Sequence, residues 1–330
     1  MNASALVIGV DIGGTKVLGG EVEADGTVLS RVRRETPHHS LAPSVVEDTI
    51  VEVVTELAAG RPVATVGVGA AGFVDPAGEL VRFSPHLSWR EEPLRQAISE
   101  RLALPVLVDN DANTTAWAEV RFGAARGRRQ VLCLTLGTGI GGALVIDGRL
   151  FRGANGMAGE FGHMQVVPDG RLCECGNRGC WEQYASGARV VREAGELLAT
   201  GSPAAFALAE ATQGEPARLT GPLVTEVARA GDRTAAELIA QVGDWLGVGL
   251  AGLCAGFDPE LVVIGGGLSD AGDLLLEPAR RALARTLTGR GFRPEPPIVR
   301  AELGTDAGFV GAAELARAMP AETLRRDTGA

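Results

Sequence analysis

The sequence lacks any concentration of positive charge. It has 31 lysines and arginines against 41 aspartates and glutamates, and Lys16 is the only lysine. A formal net charge of −10 offers no basic footprint for a phosphodiester backbone, and no run of clustered arginines compensates for it. Nucleic acid is therefore not an expected partner.

The first residues show no pattern of an export signal, and the sequence has no long apolar run. Residues 1–14 have no positively charged segment ahead of an apolar stretch, so they do not resemble a signal peptide. The longest apolar run, residues 245–257, is rich in glycine and alanine and is shorter than the ~20 residues that span a bilayer. We expect it to be a buried core helix and expect no membrane partner.

Cysteine is scarce, with five residues in 330. An odd number in a long chain without an export signal argues against a disulfide framework and favours reduced thiols or a metal site. A cytoplasmic location follows as the expectation. The length and the 45% hydrophobic content allow two domains, each with its own core.

The two halves of the chain begin with the same pattern. A strand at 6–11, a glycine-rich turn and a returning strand at 17–22 are matched by a strand at 131–136, the turn GTGIGG and a strand at 143–146. This weak internal repeat predicts two related α/β lobes that face one cleft. A final helix from about Gly308 is expected to pack back on the first lobe.

Further elements follow from hydrophobic periodicity. Helices are predicted at 43–59, 91–102 and 223–257, and strands at 64–70, 105–110, 261–264 and 298–303.

The glycine-rich turns DIGGT and GTGIGG are candidate phosphate sites. Without a Cβ in the way, backbone N–H groups in such turns can approach phosphate oxygens closely. Neither turn matches the Walker A or dinucleotide patterns, which need a helix directly after the glycines. A single glycine-rich turn in a hairpin is usually only a bend. Two such turns in matching positions of the two halves are what favours phosphate binding.

One imidazole and three thiols are spaced as H-x9-C-x-C-x4-C, formed by His163, Cys173, Cys175 and Cys180. These residue types form closed tetrahedral zinc sites, and Gly176 and Gly179 allow the tight turn that returns the last cysteine. The alternative is three unrelated buried thiols.

Five ordered motifs connect these features: DIGGTK at 11–16, DNDAN at 109–113, LGTGIGG at 136–142, GEFGH at 159–163 and CECGNRGC at 173–180. Over residues 6–318 the sequence resembles the ROK family of sugar kinases and sugar-sensing repressors, and within it the ATP-dependent glucokinases of actinobacterial type. The resemblance implies an actin-like (ribonuclease H-like) two-lobed α/β fold with a central cleft. Its lobes would comprise 1–109 with about 304–320, and 110–303, followed by a frayed tail at 321–330.

The resemblance implies ATP-dependent phosphorylation of glucose to glucose 6-phosphate, a glycolytic reaction, by a dimer or tetramer. Alternatives within the family are a kinase for fructose, mannose or an N-acetylhexosamine, a polyphosphate-dependent enzyme, and a repressor. The related repressors carry an N-terminal helix-turn-helix domain, whereas the first strand here begins by Leu6.

The resemblance makes Asp111 the general base, with its neighbour Asn110 on the sugar hydroxyls. A carboxylate at a strand end can accept a hydroxyl proton during phosphoryl transfer. Asp109 is the rival base, and side-chain alternation would point both aspartates the same way. The alternative role for Asp111 is capping the following helix.

The resemblance also implies a nucleotide site. Asp11 would lie beside the Mg²⁺ that accompanies ATP, through water because Mg²⁺ keeps much of its hydration shell. The phosphate-loop residues would be Gly13, Gly14, Thr15, Lys16, Thr138 and Gly139. Gly265, Gly266 and Gly267 would lie against the adenosine, or form only an αL turn.

A sugar clamp completes the implied site. If zinc holds one nitrogen of His163, the other becomes an N–H donor aimed at a sugar hydroxyl, and Glu160 and Glu182 would accept from hydroxyl pairs. Either carboxylate could instead only anchor the metal loop, which is the segment 172–181 that contains the three cysteines. His86 stands where much of the family has asparagine, which leaves a secondary sugar contact open. The metal loop is expected to lie away from the glycine-rich turns.

Overall fold

The computed structural model describes residues 5–319, so the predicted frayed tail at 321–330 lies outside the described residues. The β-strands are β1 (Leu6–Ile12), β2 (Lys16–Val22), β3 (Val28–Glu35), β4 (Val63–Ala70), β5 (Phe73–Val74), β6 (Val81–Phe83), β7 (Arg90–Glu92), β8 (Val106–Asn110), β9 (Val131–Leu136), β10 (Ile140–Ile146), β11 (Arg149–Phe151), β12 (Leu261–Gly265) and β13 (Ile298–Arg300). The α-helices are α1 (Pro43–Ala58), α2 (Leu94–Leu102), α3 (Asp111–Phe122), α4 (Glu182–Ala185), α5 (Gly187–Ala199), α6 (Phe206–Ala211), α7 (Gly221–Arg229), α8 (Arg233–Phe257), α9 (Asp273–Thr286) and α10 (Ala307–Arg317).

The described chain forms two compact units. The first comprises residues 5–129, 143–159 and 302–319, and the second comprises 130–142 and 160–301. How the chain divides into folding domains, for which we predict boundaries near 109 and 303, remains a prediction.

A mixed five-stranded sheet, in the order β3-β2-β1-β4-β8, is central to the first unit. β1 and β2 form the predicted antiparallel hairpin, while β1, β4 and β8 run parallel. In the register of these parallel strands, Asp11 lies beside Gly69, and Gly69 lies beside Asp109. Because parallel strands end at the same sheet edge, the DIGGT and DNDAN motifs come to one edge of this sheet.

Helix α10 packs unusually closely on the sheet and on α3. A Cβ placed on Gly9 would lie 1.8 Å from the carbonyl oxygen of Phe309, and one on Gly311 would lie 1.7 Å from that of Thr114. Since no side chain fits between these backbones, glycine is the residue that permits the contact. The last helix therefore belongs to the core beneath the first strands.

Replacing Gly67 with alanine should lower the free energy of unfolding by about 3 kcal/mol, because overpacking a rigid backbone contact forces the elements apart. The added Cβ would lie 1.9 Å from the carbonyl oxygen of Ala312 on α10. Gly252→Ala is the matched control, because a Cβ there has no described atom within 4 Å and alanine favours the helix. Urea unfolding of both variants provides the measurement, and equal midpoints would contradict the expected close contact.

The second five-stranded sheet has the order β11-β10-β9-β12-β13, which repeats the strand order of the first. Its parallel strands place Thr135 of β9 beside Gly265 of β12. The predicted internal repeat is thus present in the topology. β10 begins at Ile140, within GTGIGG, and so three residues earlier than predicted.

The region between β4 and α2 differs from the prediction. Residues 73–92 form a small antiparallel sheet in the order β5-β6-β7, and α2 begins at Leu94 instead of residue 91. The reason is Pro93, which disfavours helical geometry at Glu92 and leaves β7 free to pair with β6. Strands of two or three residues are too short to show periodicity, so the sequence contained no signal for this sheet.

The predicted helical region 223–257 is two helices, because Gly231, with φ 101°, breaks the chain between α7 and α8. α8 is, among the described residues, the one helix with the length and apolar composition that could span a membrane, yet 61% of its most apolar window is buried inside the protein. Its Gly247 faces α9, where a Cβ would lie 2.3 Å from the carbonyl oxygen of Ala279. Its last half is therefore the core helix predicted from the sequence.

Candidate active site

The turn between β8 and α3 is held by Asn110. Its side-chain oxygen accepts from the backbone N–H groups of Ala112 (2.9 Å) and Asn113 (3.2 Å), which caps the helix, and its amide donates to the carbonyl oxygen of Gly72 (3.0 Å). The main helix cap is thus Asn110, although Asp111 also accepts from Ala112 N–H at 2.9 Å. An asparagine amide has two N–H donors, and the Asn110 side chain also forms a hydrogen bond to the Asp111 carboxyl.

The two aspartates of this turn have different surroundings. Asp109 is buried, its Oδ2 accepts from Arg152, and its Oδ1 accepts from the Asn113 side chain and the Asn110 backbone. The expectation that both aspartates point the same way is wrong, because the chain leaves the strand after Asn110 and alternation ends there. Asp109 is therefore committed to protein partners on both oxygens.

Asp111 has the electrostatics of a base. Loss of contact with bulk water raises the pKa of this carboxyl to about 6, although hydrogen bonds from backbone N–H groups and the charge of His86 oppose the rise. A carboxyl poised in this range exchanges protons readily near neutral pH. His86 is thus close enough to act on Asp111, which its motif position left open.

Asp11 lies at the end of β1 against the first turn of α10, where a Cβ on Gly308 would lie 2.5 Å from the carboxyl carbon of Asp11. Burial, followed by the negative charge of Asp111, raises the pKa of Asp11 to about 7, while Lys16 lowers it. Two carboxyls that repel each other in this way are the oxygen ligands that a hard divalent cation prefers. The residues therefore fit the predicted Mg²⁺ position.

The turn of the first hairpin contains Gly13, Gly14 and Thr15 and is closed by a hydrogen bond from Gly13 N–H to the carbonyl oxygen of Lys16 (3.0 Å). A Cβ on Gly13 would meet no described atom closer than 3.6 Å, so the protein itself does not require glycine there. Gly14 is tighter, because its Cβ would lie 3.0 Å from that of His86. Space above Gly13 is what a ligand approaching the backbone needs.

The three glycines after β12 have unequal roles. Gly266 has φ 80°, and a Cβ on it would lie 2.4 Å from the carbonyl oxygen of Leu136, so the fold requires glycine there. A Cβ on Gly265 would lie 3.3 Å from Ala301, whereas one on Gly267 would meet no described atom within 4 Å. Packing and backbone conformation thus explain the glycine at 266. They do not explain the glycine at 267, which remains a candidate for contact with a ligand.

The second glycine-rich turn lies beside the metal loop. Gly137 accepts a hydrogen bond from Gly187 N–H (2.8 Å), and a Cβ on Gly139 would lie 2.6 Å from Oε2 of Glu182. The expectation that the metal loop lies away from the glycine-rich turns is therefore wrong for the turn that carries Thr138. Glu182 is the connection, because it starts α4 two residues after the last cysteine.

The predicted metal ligands converge, with their donor atoms all within 4.8 Å of one another: His163, Cys173, Cys175 and Cys180. The Cys175 and Cys180 sulfurs are 3.6 Å apart, and the Cys173 sulfur is 3.7 Å from His163 Nδ1. Zinc with bonds of about 2.0–2.3 Å to nitrogen and sulfur separates tetrahedral ligands by roughly 3.5–3.8 Å. The four side chains therefore fit a structural zinc ion.

The metal loop depends on two glycines and one tryptophan. Gly176 has φ 92° and Gly179 has φ 78°, and a Cβ on Gly179 would lie 1.7 Å from the carbonyl oxygen of Val167. Trp181 is fully buried and donates from Nε1 to the carbonyl oxygen of Trp245 on α8 (2.8 Å). The loop is thus anchored at one end by packing, while its tip depends on the metal.

His163 faces two ways. Its Nδ1 lies toward the cysteines and 3.6 Å from Oε1 of Glu182, whereas its Nε2 lies 3.9 Å from Oε2 of Glu160. Zinc on Nδ1 leaves Nε2 as the N–H donor. The short helix 161–163 produces this placement, because it puts Glu160 and His163 one turn apart.

Each unit thus collects part of the predicted site. The first holds Asp11, Gly13, Gly14, Thr15, Lys16, Asn110 and Asp111, and the second holds Thr138, Gly139, Glu160, His163, Cys173, Cys175, Cys180, Glu182, Gly265, Gly266 and Gly267. Sequence reasoning missed Arg152, since nothing in the segment FRGANG indicates which carboxylate that arginine meets.

Fold and site define the class of protein: two α/β units of repeated topology, partly buried carboxyls at a sheet edge, and a His-Cys₃ metal cluster. The model of the ROK family matches residues 7–319, and the chain belongs to this family. The predicted actin-like two-lobed fold is thereby confirmed.

Individual relatives are similar over nearly their whole length. The chain is 45% identical to a glucokinase of Streptomyces coelicolor over 312 residues, covering 94% of this chain and 98% of the relative. It is 37% identical to a glucokinase of Thermotoga maritima over 315 residues, covering 94% and 96%. A crystal structure of a ROK family glucokinase from Streptomyces griseus in complex with glucose and AMPPNP is 45% identical, with a TM-score of 0.88 and coverage of 95% and 99%.

Proposed function

We propose that this protein is an ATP-dependent glucokinase, which transfers the γ-phosphoryl group of ATP to the 6-hydroxyl of glucose. The observation that carries the proposal is the 45% identity to Streptomyces glucokinases over almost the whole chain, one of them crystallised with glucose and an ATP analogue. The partly buried carboxyls Asp11 and Asp111 and the metal cluster provide the chemistry that such a reaction needs.

Asp111 is the proposed general base. It accepts the proton of the sugar hydroxyl as the phosphoryl group is transferred through a loose transition state. Asp109 is unsuited to this role, because both its oxygens already accept hydrogen bonds from Arg152, Asn113 and the Asn110 backbone. Asn110, which precedes the base in the chain and whose side chain hydrogen-bonds to it, is the proposed contact for the sugar hydroxyls.

The nucleotide is assigned to the glycine-rich turns. Gly13 in the first unit and Gly267 in the second, where a Cβ would be unhindered by the described chain, would offer backbone N–H groups to phosphate and adenosine. The other proposed phosphate-loop residues are Gly14, Thr15, Lys16, Thr138 and Gly139. Asp11 would lie beside a bound Mg²⁺, through water, and the cation would supply positive charge to the phosphates. The cation also favours the charged form of Asp11.

The sugar is assigned to Glu160, Glu182 and the Nε2–H of His163. Zinc bound at Nδ1 would fix the tautomer of His163 and leave Nε2–H as its donor, while both carboxylates would accept from hydroxyls. A zinc ion held by these four side chains would be structural, since four protein ligands fill a tetrahedral coordination shell.

A coupled-enzyme assay with ATP tests the function against glucose, mannose, fructose and N-acetylhexosamines. We expect kcat/KM to be highest for glucose. If activity is highest with another hexose, that hexose and not glucose is the substrate. Activity with polyphosphate but not with ATP would contradict ATP as the phosphoryl donor.

The turnover number should fall as pH decreases below about 6, tenfold per pH unit in the limit, because protonated Asp111 cannot accept the hydroxyl proton. The measurement is kcat at saturating glucose and MgATP between pH 5 and 8.5, so that bound Mg²⁺ keeps Asp11 charged. A rate that stays constant to pH 5 would show a base near the ordinary value of 3.8 and contradict the assignment.

We further propose that the enzyme works in the cytoplasm as a dimer or tetramer, with glucose and ATP as partners and neither nucleic acid nor membrane. The acidic net charge and the thiol-rich metal cluster support this. Light scattering of the purified protein tests the oligomeric state.

A further inference from the structure

Asp109, two residues before the proposed base in the chain, forms an ion pair with Arg152. Nε and one terminal nitrogen of Arg152 donate to Oδ2 of Asp109 at 2.9 and 2.5 Å. The Asp109 side chain is only 6% exposed, whereas that of Arg152 is 33% exposed. A buried carboxylate with a charge-assisted partner is held in one orientation, because separating the two would leave a buried charge without compensation, which is energetically costly.

The other oxygen of Asp109 transmits this orientation to the turn. Oδ1 accepts from the Asn110 backbone N–H (2.8 Å) and from the Asn113 side chain (2.9 Å). Asn110 in turn caps α3, whose first residue is Asp111. A chain of hydrogen bonds therefore runs from Arg152 to the backbone that carries the base.

Arg152 also fixes the segment in which it lies. Its carbonyl oxygen accepts from Ala158 N–H (3.1 Å), and a Cβ on Gly156 would lie 2.0 Å from the carbonyl oxygen of Val74. The loop 152–158 is therefore closed on itself and pressed against the strand β5. Because these contacts fix the backbone of Arg152, its side chain donates to Asp109 from a defined position.

We propose that Arg152 is a positioning residue for the phosphoryl transfer, which holds the β8–α3 turn, and with it Asp111, in the reactive geometry through Asp109. The inference rests on the proposed function, because it assigns the base to Asp111. It adds a residue that would act on the reaction through its contact with Asp109.

Arg152→Met is the decisive variant. We expect kcat to fall roughly 10- to 100-fold, because a displacement of about 1 Å at the reacting group costs this much, while the KM for ATP stays within about twofold. Arg152→Lys retains the charge but not the planar pair of donors, so it should recover part of kcat. Arg149→Met, on exposed β11, is the matched control and should behave as wild type.

A second variant separates positioning from stability. Asp109→Asn combined with Arg152→Met removes both charges, so no buried charge is left unpaired and the melting temperature should return toward that of wild type. We expect kcat to remain low, since residue 109 can still accept from the turn but is no longer held in orientation by Arg152. Recovery of wild-type kcat in the double variant would reduce the pair to a stability element and overturn the proposal.

Hydrogen–deuterium exchange decides the matter without activity. Amides of residues 109–113 should exchange faster in Arg152→Met than in Arg149→Met, with other peptides unchanged. Unaltered exchange and a kcat within twofold of wild type would overturn the positioning role while leaving the glucokinase assignment intact. A wild type inactive on every hexose with ATP would overturn the proposed function, and the exchange comparison would still show whether Arg152 holds the turn.

Discussion

Replacing Asp111 with asparagine is expected to reduce kcat by about 10³-fold while glucose binding stays near normal, because the amide keeps the shape of the side chain but cannot accept a proton. Steady-state kinetics and glucose titration calorimetry provide the two measurements. Retention of more than about a tenth of wild-type turnover would exclude Asp111 as the base, since general-base catalysis contributes about 10²–10⁴-fold.

The stability of the same variant serves as its control for folding. The pKa of Asp111 is raised in the folded protein from 3.8 to about 6, so the folded state binds more protons than the unfolded state between these values. The contribution of Asp111 to stability is therefore present at low pH and is lost as pH rises through about 6. Asparagine has no charge to bury, so Asp111→Asn should melt at or above the wild-type temperature at pH 8.

Asp147→Asn is the matched control for chemistry, because Asp147 lies with φ 53° in an exposed hairpin turn before Gly148, where asparagine is a preferred residue. It should retain wild-type kcat and KM. A loss of melting temperature in Asp111→Asn would attribute its inactivity to misfolding instead of to the missing base.

Replacing Cys175 with serine is expected to remove the zinc and to raise the KM for glucose at least tenfold. The four donors fit one metal ion, and the loop tip has little packing of its own, with Leu172 63% exposed. Without zinc on Nδ1, His163 would lose its fixed tautomer. Glu182 would then lose the fixed position of its neighbour His163, whose Nδ1 lies 3.6 Å from Oε1 of Glu182. Elemental analysis should find one zinc per wild-type chain and none in the variant.

The KM for ATP should rise less than that for glucose. It should nevertheless change, because Glu182 lies against Gly139 of the second glycine-rich turn. Cys254→Ser is the matched control, since it makes the same atom exchange at a buried thiol of α8 and should keep the zinc. A wild type without zinc, or a zinc-free Cys175→Ser variant with the normal glucose KM, would show that the metal does not build the sugar site.

The sequence alone was sufficient for features that local chemistry specifies. The hairpin of β1 and β2, the repeated strand order and the His-Cys₃ ligand set follow from periodicity, turn glycines and ligand spacing, and the structure contains all three. Each depends on residues close together in the chain, or on a pattern that repeats. Such signals survive without knowledge of the tertiary contacts.

Only the tertiary structure decided which groups meet across long separations in sequence. Arg152 reaches Asp109 over 43 residues, and Glu182 lies against Gly139 over a similar span; no spacing rule predicts either contact. The choice between Asp109 and Asp111 likewise required knowing where the strand ends and which carboxylate an arginine occupies. The physical reason is that partners and burial, which set the charge state of a side chain, are properties of the packed chain and not of the residue.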